Sequence, residues 1–452
     1  MTRQLRSAPL VLVLFGSALG GRAAAQPAAQ TGLATGQTLR LTVDEAVARG
    51  LATSHRVEEL GARADVAAAV SDQRHSALLP RVSALGGYTR TNHVETFAVP
   101  APGGQLRVIY PDVPDNIRSR VDAQWALYTG GRLEALERAA RTETTASNQD
   151  LESLRNDLKA EVARAYWTLV SAIEGVRVIE RSIGQVDAHL TDARNQFAAG
   201  LIPPNDVLTV EAQRARQQML YVQATSNRDV AEAALVRLIG ASLGTHIDPA
   251  TPLLPAAAPT ESIDALLQMA RTRRPDRQAL SERVTAATHR TDAALAGKRP
   301  TIGVGGGFDY ARPNPKIFPR QAAWKDSWDA SINVEWPLFD GGRTAAEVAE
   351  ATAALRAAEA RLAEFDSQLT LEIRQRLSEI EAGRAAVVAA DAAIAAGEEA
   401  VRVVRERFSV GVATSTDVLD AEIIALQAAL ERTQALAVQQ ISAAGLLRAT
   451  GR

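Results

Sequence analysis

The stretch Tyr128-Thr129-Gly130-Gly131-Arg132 returns 211 positions later as Phe339-Asp340-Gly341-Gly342-Arg343. The same interval separates Phe197-Ala198-Ala199-Gly200 from Phe408-Ser409-Val410-Gly411, Asp206-Val207-Leu208 from Asp417-Val418-Leu419, and Gly240 from Gly451. One offset without gaps over more than a hundred residues is an internal duplication, and a repeat of this kind governs the whole fold. Upstream the offset becomes 220: Leu79-Pro80-Arg81 lines up with Arg299-Pro300-Thr301, and Val43-Asp44 with Ile263-Asp264. The nine-residue difference falls between the Pro and the Gly-Gly, so the first copy carries a longer excursion there, expected as a loop.

After each Gly-Gly runs a heptad ladder. Its rungs are Val162, Leu169, Val176, Ile183, Leu190 and Phe197 in copy one, and Ile373, Ile380, Val387, Ile394, Val401 and Phe408 in copy two. A strict seven-residue period describes helices that supercoil left-handedly around neighbours. No proline interrupts 131–199, so this segment reads as one helix of roughly 100 Å at about 1.5 Å per residue. A helix of that length needs neighbours along it, and Ala-rich stretches such as 389–396 allow close approach. Each copy then breaks (Gly200 to Pro204; Gly411 to Thr414) and resumes as a second helix.

The segments between the Pro and the Gly-Gly differ in kind. In 331–338, Ile332, Val334, Trp336 and Leu338 alternate with polar Ser331, Asn333 and Glu335, which is strand periodicity. Segments 82–128 and 301–339 hold 12 of the chain's 19 aromatics, including Trp125, Trp324, Trp328 and Trp336. Each has a Pro- or Gly-rich middle and reads as a two-stranded hairpin. Aromatic-rich hairpins on an exported chain suggest a membrane barrel with aromatic girdles; a soluble β-hairpin cap is the other reading. Four strands cannot close such a barrel, since the smallest single-chain examples have about eight, and open edges are forbidden in lipid. The barrel must then be shared between chains.

Composition fits this plan. Among 452 residues, 46% are hydrophobic but only 4% aromatic, so the apolar content is small side chains that suit helices lying side by side. Arg3 and Arg6, the apolar run from Leu10 to Leu19 and Ala23-Ala24-Ala25 read as a secretory signal over 1–25. There is no cysteine, hence no disulfide and no thiol metal site. Net charge is −2, about −5 without Arg3, Arg6 and Arg22, which gives no sign of a nucleic-acid partner. The six histidines (55, 75, 93, 189, 246, 289) are scattered and expected at the surface, and no phosphate loop or nucleophile elbow is present.

The expected organisation is a signal peptide (1–25) and a first repeat (26–240) with helix 43–79, strand hairpin 82–128, long helix 131–199 and helix 205–239. A Pro-rich linker or equatorial segment (241–261) follows. The second repeat (262–452) has helix 262–299, strand hairpin 301–339, long helix 342–410 and helix 415–449.

This order of parts resembles the TolC-type outer-membrane efflux proteins, also called outer membrane factors, over nearly all of the chain after the signal. The resemblance rests on the duplicated helix–hairpin–helix–helix plan, on the turns at 128–132 and 339–343, and most specifically on Phe-Ser-Val-Gly-Val-Ala-Thr-Ser-Thr-Asp-Val-Leu-Asp-Ala at 408–421. It implies a mainly α fold with membrane β. Long antiparallel coiled helices would form a trimeric α-barrel crossing the periplasm, and four strands per chain would contribute to a shared 12-stranded β-barrel in the outer membrane. It implies a homotrimer, contact with outer-membrane lipid, a periplasmic adaptor protein and an inner-membrane pump or secretion ATPase. It implies passive conduction, with no enzyme activity, cofactor or metal. The alternative is a soluble periplasmic coiled-coil adaptor or scaffold, which would need one hairpin between β-rich halves and so fits the duplication poorly.

The resemblance also assigns residues. Asp417 and Asp420 match the acidic residues of the family's periplasmic entrance; i, i+3 spacing puts both on one helix face, where a threefold axis would gather them into a cation-favouring ring. The local alternative is a cap, since Asp417 follows Thr414 by three positions. Asp206 matches a member of the family's closed-state network. Its partners there correspond to Phe408 and, where the family carries Arg, to Ala413. As a plain helix-start residue after Pro203-Pro204 it is equally explained. Gly200 and Gly411 punctuate the tips expected to dock the adaptor, and also simply end helices. Gly130, Gly131, Gly341 and Gly342 read as strand-to-helix turns needing φ > 0.

Overall fold

The computed structural model describes residues 38–452; the signal sequence read at 1–25 lies outside them. In chain order the elements are β1 (Thr38–Leu41), α1 (Val43–Thr53), α2 (His55–Ser76), β2 (Arg81–Arg90), β3 (Phe97–Pro100), β4 (Leu106–Tyr110), β5 (Asp115–Tyr128), α3 (Arg132–Ala198) and α4 (Pro204–Leu238). Then come β6 (His246–Pro249), α5 (Ile263–Arg273), α6 (Pro275–Leu295), β7 (Thr301–Arg312), β8 (Lys325–Glu335), α7 (Arg343–Ser409) and α8 (Ser415–Ala449).

The two long helices, α3 and α7, have 67 residues each, about 100 Å of rise. Their ladder rungs point inward: Val162, Leu169, Val176 and Leu190 are buried on α3, and Ile373, Ile380, Val387, Val401 and Phe408 on α7. Each packs antiparallel to the helix that follows it, α3 on α4 and α7 on α8, and α3 also lies along α8, α2 and α6. The main core sits midway along the helices. There the Tyr166 hydroxyl donates to the Leu41 carbonyl (3.0 Å) and accepts from the Thr251 amide (3.0 Å).

Three expectations are corrected. Helices 43–79 and 262–299 are each two helices, broken at Ser54 and Arg274, both in extended conformation. Arg274 precedes Pro275, whose ring disfavours helical geometry at the residue before it. The first-copy excursion is not a plain loop but carries a second hairpin, β3 with β4. The linker 241–261 contributes β6, which pairs parallel with β1 at the start of the described chain.

The main sheet has the order β2-β5-β7-β8, all antiparallel. Its registers reproduce the duplication: Arg81 pairs with Gln124 in β2–β5, and Thr301 with Glu335 in β7–β8, related by the same offsets of 220 and 211. The strand alternation read over 331–338 stops at Glu335, because β7 begins at Thr301 and offers no partner beyond that pair.

Strand turns into long helix at glycines with φ of +67 and +89 (Gly130, Gly131) and +67 and +88 (Gly341, Gly342). The surroundings differ. A Cβ on Gly130 would lie 2.8 Å from Arg299 Cβ and 2.9 Å from the Ala296 carbonyl, whereas one on Gly341 meets open space. Both Gly→Ala changes carry the left-handed penalty of about 1–2 kcal/mol. Gly130→Ala is expected to lower the thermal midpoint clearly more than Gly341→Ala; equal losses would contradict the close packing at Gly130.

Candidate functional site

At the end of the molecule away from the main sheet, both helix pairs turn. α3 ends through Gly200 (φ +75) and α7 through Gly411 (φ +76), each with open space around it. α4 starts on Pro204, and α8 starts with a capping box on Thr414 and Asp417.

Asp417 and Asp420 are exposed on the first turns of α8. They line one groove of about 360 Å³ with Arg407, Ala400, Val404, Ala413, Ala421 and Ile424. The Asp417 carboxylate accepts from the Thr414 amide and hydroxyl, both at 2.8 Å, and these bonds hold its pKa below the ordinary value, aided by the nearby Arg407 charge. Asp417 is thus a helix cap with a second face toward the groove. Asp206 is half-buried at the start of α4, where Asn205 Nδ2 donates to it at 3.0 Å.

Phe408 is brought not to Asp206 but to His189, ring centroids 4.9 Å apart and edge-on. This corrects the expectation of surface histidines: His189 is buried, and its Nε2 lies 2.7 Å from the Ser415 hydroxyl. His189 therefore clamps α3 to the start of α8. Beside it, Arg405 Nη2 donates to Glu422 (2.5 Å), which is buried, and to the Gln185 carbonyl (3.3 Å). Burial raises the Glu422 pKa against the opposing pull of Arg405. Burial, then the Arg405 charge, lower that of His189. The sequence held one signal for His189: it falls three residues after Val186 and four before Ala193, both on the buried stripe of α3.

At the other end, the main sheet has two unlike faces. Ile117, Val121, Trp125, Val304, Phe308, Trp328, Ile332 and Val334 alternate onto one, and most of the large ones are exposed. The opposite face carries Arg118, Arg120, Asp122, Asp309 and Asp329. Arg118 Nε donates to Asp309 (2.6 Å), Arg120 to Asp122 (2.6 Å), Asp329 (2.8 Å) and Asp309, and Lys316 of the β7–β8 connection reaches Asp309 (3.0 Å) and Asp329. Sequence reading missed this network because its members are spread over three elements. Where strands meet helices, Trp125 Nε1 donates to the Leu78 carbonyl (2.8 Å) and Trp336 Nε1 to the Lys298 carbonyl (3.2 Å), the same contact in both copies. Among the described residues no helix is long and apolar enough to cross a membrane, and no group of His, Asp and Glu could hold a metal ion.

Comparison with known proteins places this chain. Residues 46–241 and 266–452 match the outer membrane efflux protein family. The chain belongs to that family. It is 27% identical over 352 residues to protein CyaE of Bordetella pertussis, covering 74% of this chain and 72% of the relative. It is 23% identical over 365 residues to outer membrane protein TolC of Vibrio cholerae, covering 80% of each. The fold is shared with the outer membrane protein VceC of Vibrio cholerae, with a TM-score of 0.77 at 18% identity over 90% of this chain and 96% of that one. Members of the family are outer-membrane channel and efflux proteins.

His189→Ala removes a buried hydrogen bond and a ring contact, a loss of about 1–3 kcal/mol. His189 is also expected to make stability pH-dependent. Its folded pKa lies below 6.5, so below that pH the unfolded chain binds a proton that the folded chain resists, and stability falls as pH drops toward the lowered value. Glu422, with a raised pKa, acts in the opposite sense, adding stability as pH falls. Thermal melts are expected to show a smaller loss between neutral and mildly acidic pH for His189→Gln than for wild type; the same slope in both would contradict this.

Proposed function

We propose that this chain is one subunit of a trimeric exit duct, a passive conduit across the outer membrane and periplasm in a tripartite efflux or type I secretion system. The observation that carries the reading is the main sheet. β2 and β8 are its edges and have no partner strand among the described residues, while one face is apolar and exposed. In hydrocarbon an open edge leaves backbone groups unsatisfied, so a sheet of this kind has to close on further copies.

The duplication supplies the rule for closure. β5 pairs with β7 so that Arg120 faces Asp309. Shifting β5 by 211 and β7 by −220 turns this into β8 against β2 of another copy, with Ser331 facing Thr89. The repeats 26–240 and 262–452 then alternate around one wall, with the Gly130-Gly131 and Gly341-Gly342 turns where barrel passes into helices. The long helices cross the periplasm. The tips at Gly200 and Gly411 take the periplasmic adaptor, which links the duct to an inner-membrane pump or secretion ATPase. Transport needs no bond-making step in this chain. Asp417 and Asp420, gathered by symmetry, form the acidic periplasmic entrance, with Asp206 and Ala413 at its contacts.

Two measurements test this. The cysteine-free chain carrying Ser331→Cys and Thr89→Cys is expected to form intermolecular disulfides on oxidation in outer membranes, giving a ladder on non-reducing gels. Monomer alone would contradict the shared barrel. In planar bilayers, Asp417→Ala with Asp420→Ala is expected to lower cation selectivity and weaken block by multivalent cations; unchanged values would remove the acidic entrance.

A further inference from the structure

The duplication places the same side chains in two settings. Leu419 of α8 is 4% exposed, packed among Val186, Leu190, Ala193 and Val210 with Ile202 beside them. Leu208 of α4, its equivalent, is 63% exposed. Phe408 is 4% exposed under His189, whereas Phe197 is 47% exposed. The side chain of Glu422, paired with Arg405, is 1% exposed; that of Glu211, paired with Arg194 at 2.6 Å, is 40% exposed. Residue types are the same in each pair. What differs is the second long helix: α8 lies along α3 as well as α7, while α4 has no comparable contact with α7 of its own chain.

The second half of the contact is present on α7 and α8. Their tip groove of about 360 Å³ is lined by Val404, Ala413 and Ala421. These are the equivalents, at 211, of Ala193, Ile202 and Val210, which hold Leu419. We infer that this groove is the socket for Leu208 of a second copy of this chain, and that Phe197 and the Arg194–Glu211 pair are covered in the same joint. This rests on the multi-chain duct of the preceding section and names the residues through which its tips meet. Leu208 reaches into the groove as Leu419 reaches into its own, an apolar side chain leaving water for a preformed seat.

The correspondence also shows where this joint differs. Gln196 Nε2 donates to the Phe408 carbonyl at 3.4 Å; Arg407 stands at the equivalent position and donates to Phe197 of the second copy. His189 and Ser415, which hydrogen-bond within the chain, become Ala400 and Pro204. The joint between copies therefore lacks the His189–Ser415 clamp and carries an Arg407 contact in place of the Gln196 one.

The test uses the full-length, cysteine-free chain in outer membranes. Leu208→Cys with Val404→Cys is expected to give an intermolecular disulfide ladder on oxidation. Leu419→Cys with Ala193→Cys is expected to close within one chain, shifting mobility without a ladder, and shows that this geometry permits the bond. Leu243→Cys with Val404→Cys is the reference for random collision. If Ser331→Cys with Thr89→Cys forms its ladder and the 419/193 pair closes, but 208/404 links no better than 243/404, the socket is overturned while the duct stands. If neither the 331/89 nor the 208/404 pair links copies, the duct itself falls and the socket with it.

Discussion

Backbone amides and carbonyls along an open strand edge have no partner in hydrocarbon, and each one left unpaired there costs several kcal/mol. On the proposed reading that constraint bears on β2 and β8, edges without a partner among the described residues, in a sheet whose apolar face is exposed. The rest of the molecule follows from meeting it. On the proposed reading, a barrel closed by several chains fixes their number and tilt at one end, and the glycine turns pass that arrangement on to the long helices. The helices are then obliged to pack side by side over about 100 Å. Small side chains on their flanks make such packing possible.

Duplication makes the two halves of the chain nearly uniform, yet the chain does not treat its two copies alike. Within the chain, His189, Ser415, Arg405 and Glu422 form a buried polar joint between α3 and the α7–α8 pair. The corresponding positions outside that joint keep the ion pair, as Arg194 and Glu211, but carry Ala400 and Pro204 in place of His189 and Ser415. A buried polar cluster specifies one arrangement and resists separation, because parting it exposes groups that must be re-solvated. A joint without the His189–Ser415 bond is easier to part. On the proposed reading, tips that open to pass cargo separate between copies rather than within them, and the entrance acids move with the α7–α8 pair.

Much of this was legible because two periodicities survive in the sequence. The seven-residue rungs mark what α3 and α7 bury, and the alternation from Ser331 to Glu335 marks a strand with unlike faces. Phe197 is a rung by pattern but exposed in the single chain, since a period records which face is apolar and not which chain covers it. The break at Ser54 carries no proline and left no sign, unlike its equivalent before Pro275. The pairing of β1 with β6 joins segments about 200 residues apart, and no local pattern reports a contact of that range. His189 was misread because its spacing to other histidines was weighed rather than its place on the helical stripe. Asp417 admitted two readings, cap and entrance acid, and its bonds to Thr414 show that the cap is formed.

The central claim is that the sheet closes on copies of this chain through β8 and β2. Electron cryomicroscopy of the full-length protein in lipid nanodiscs tests it most directly. The account predicts a threefold particle in which β8 of each chain pairs antiparallel with β2 of the next, Ser331 opposite Thr89. A particle in which β2 and β8 pair within one chain, or in which either edge faces lipid unpaired, would contradict it.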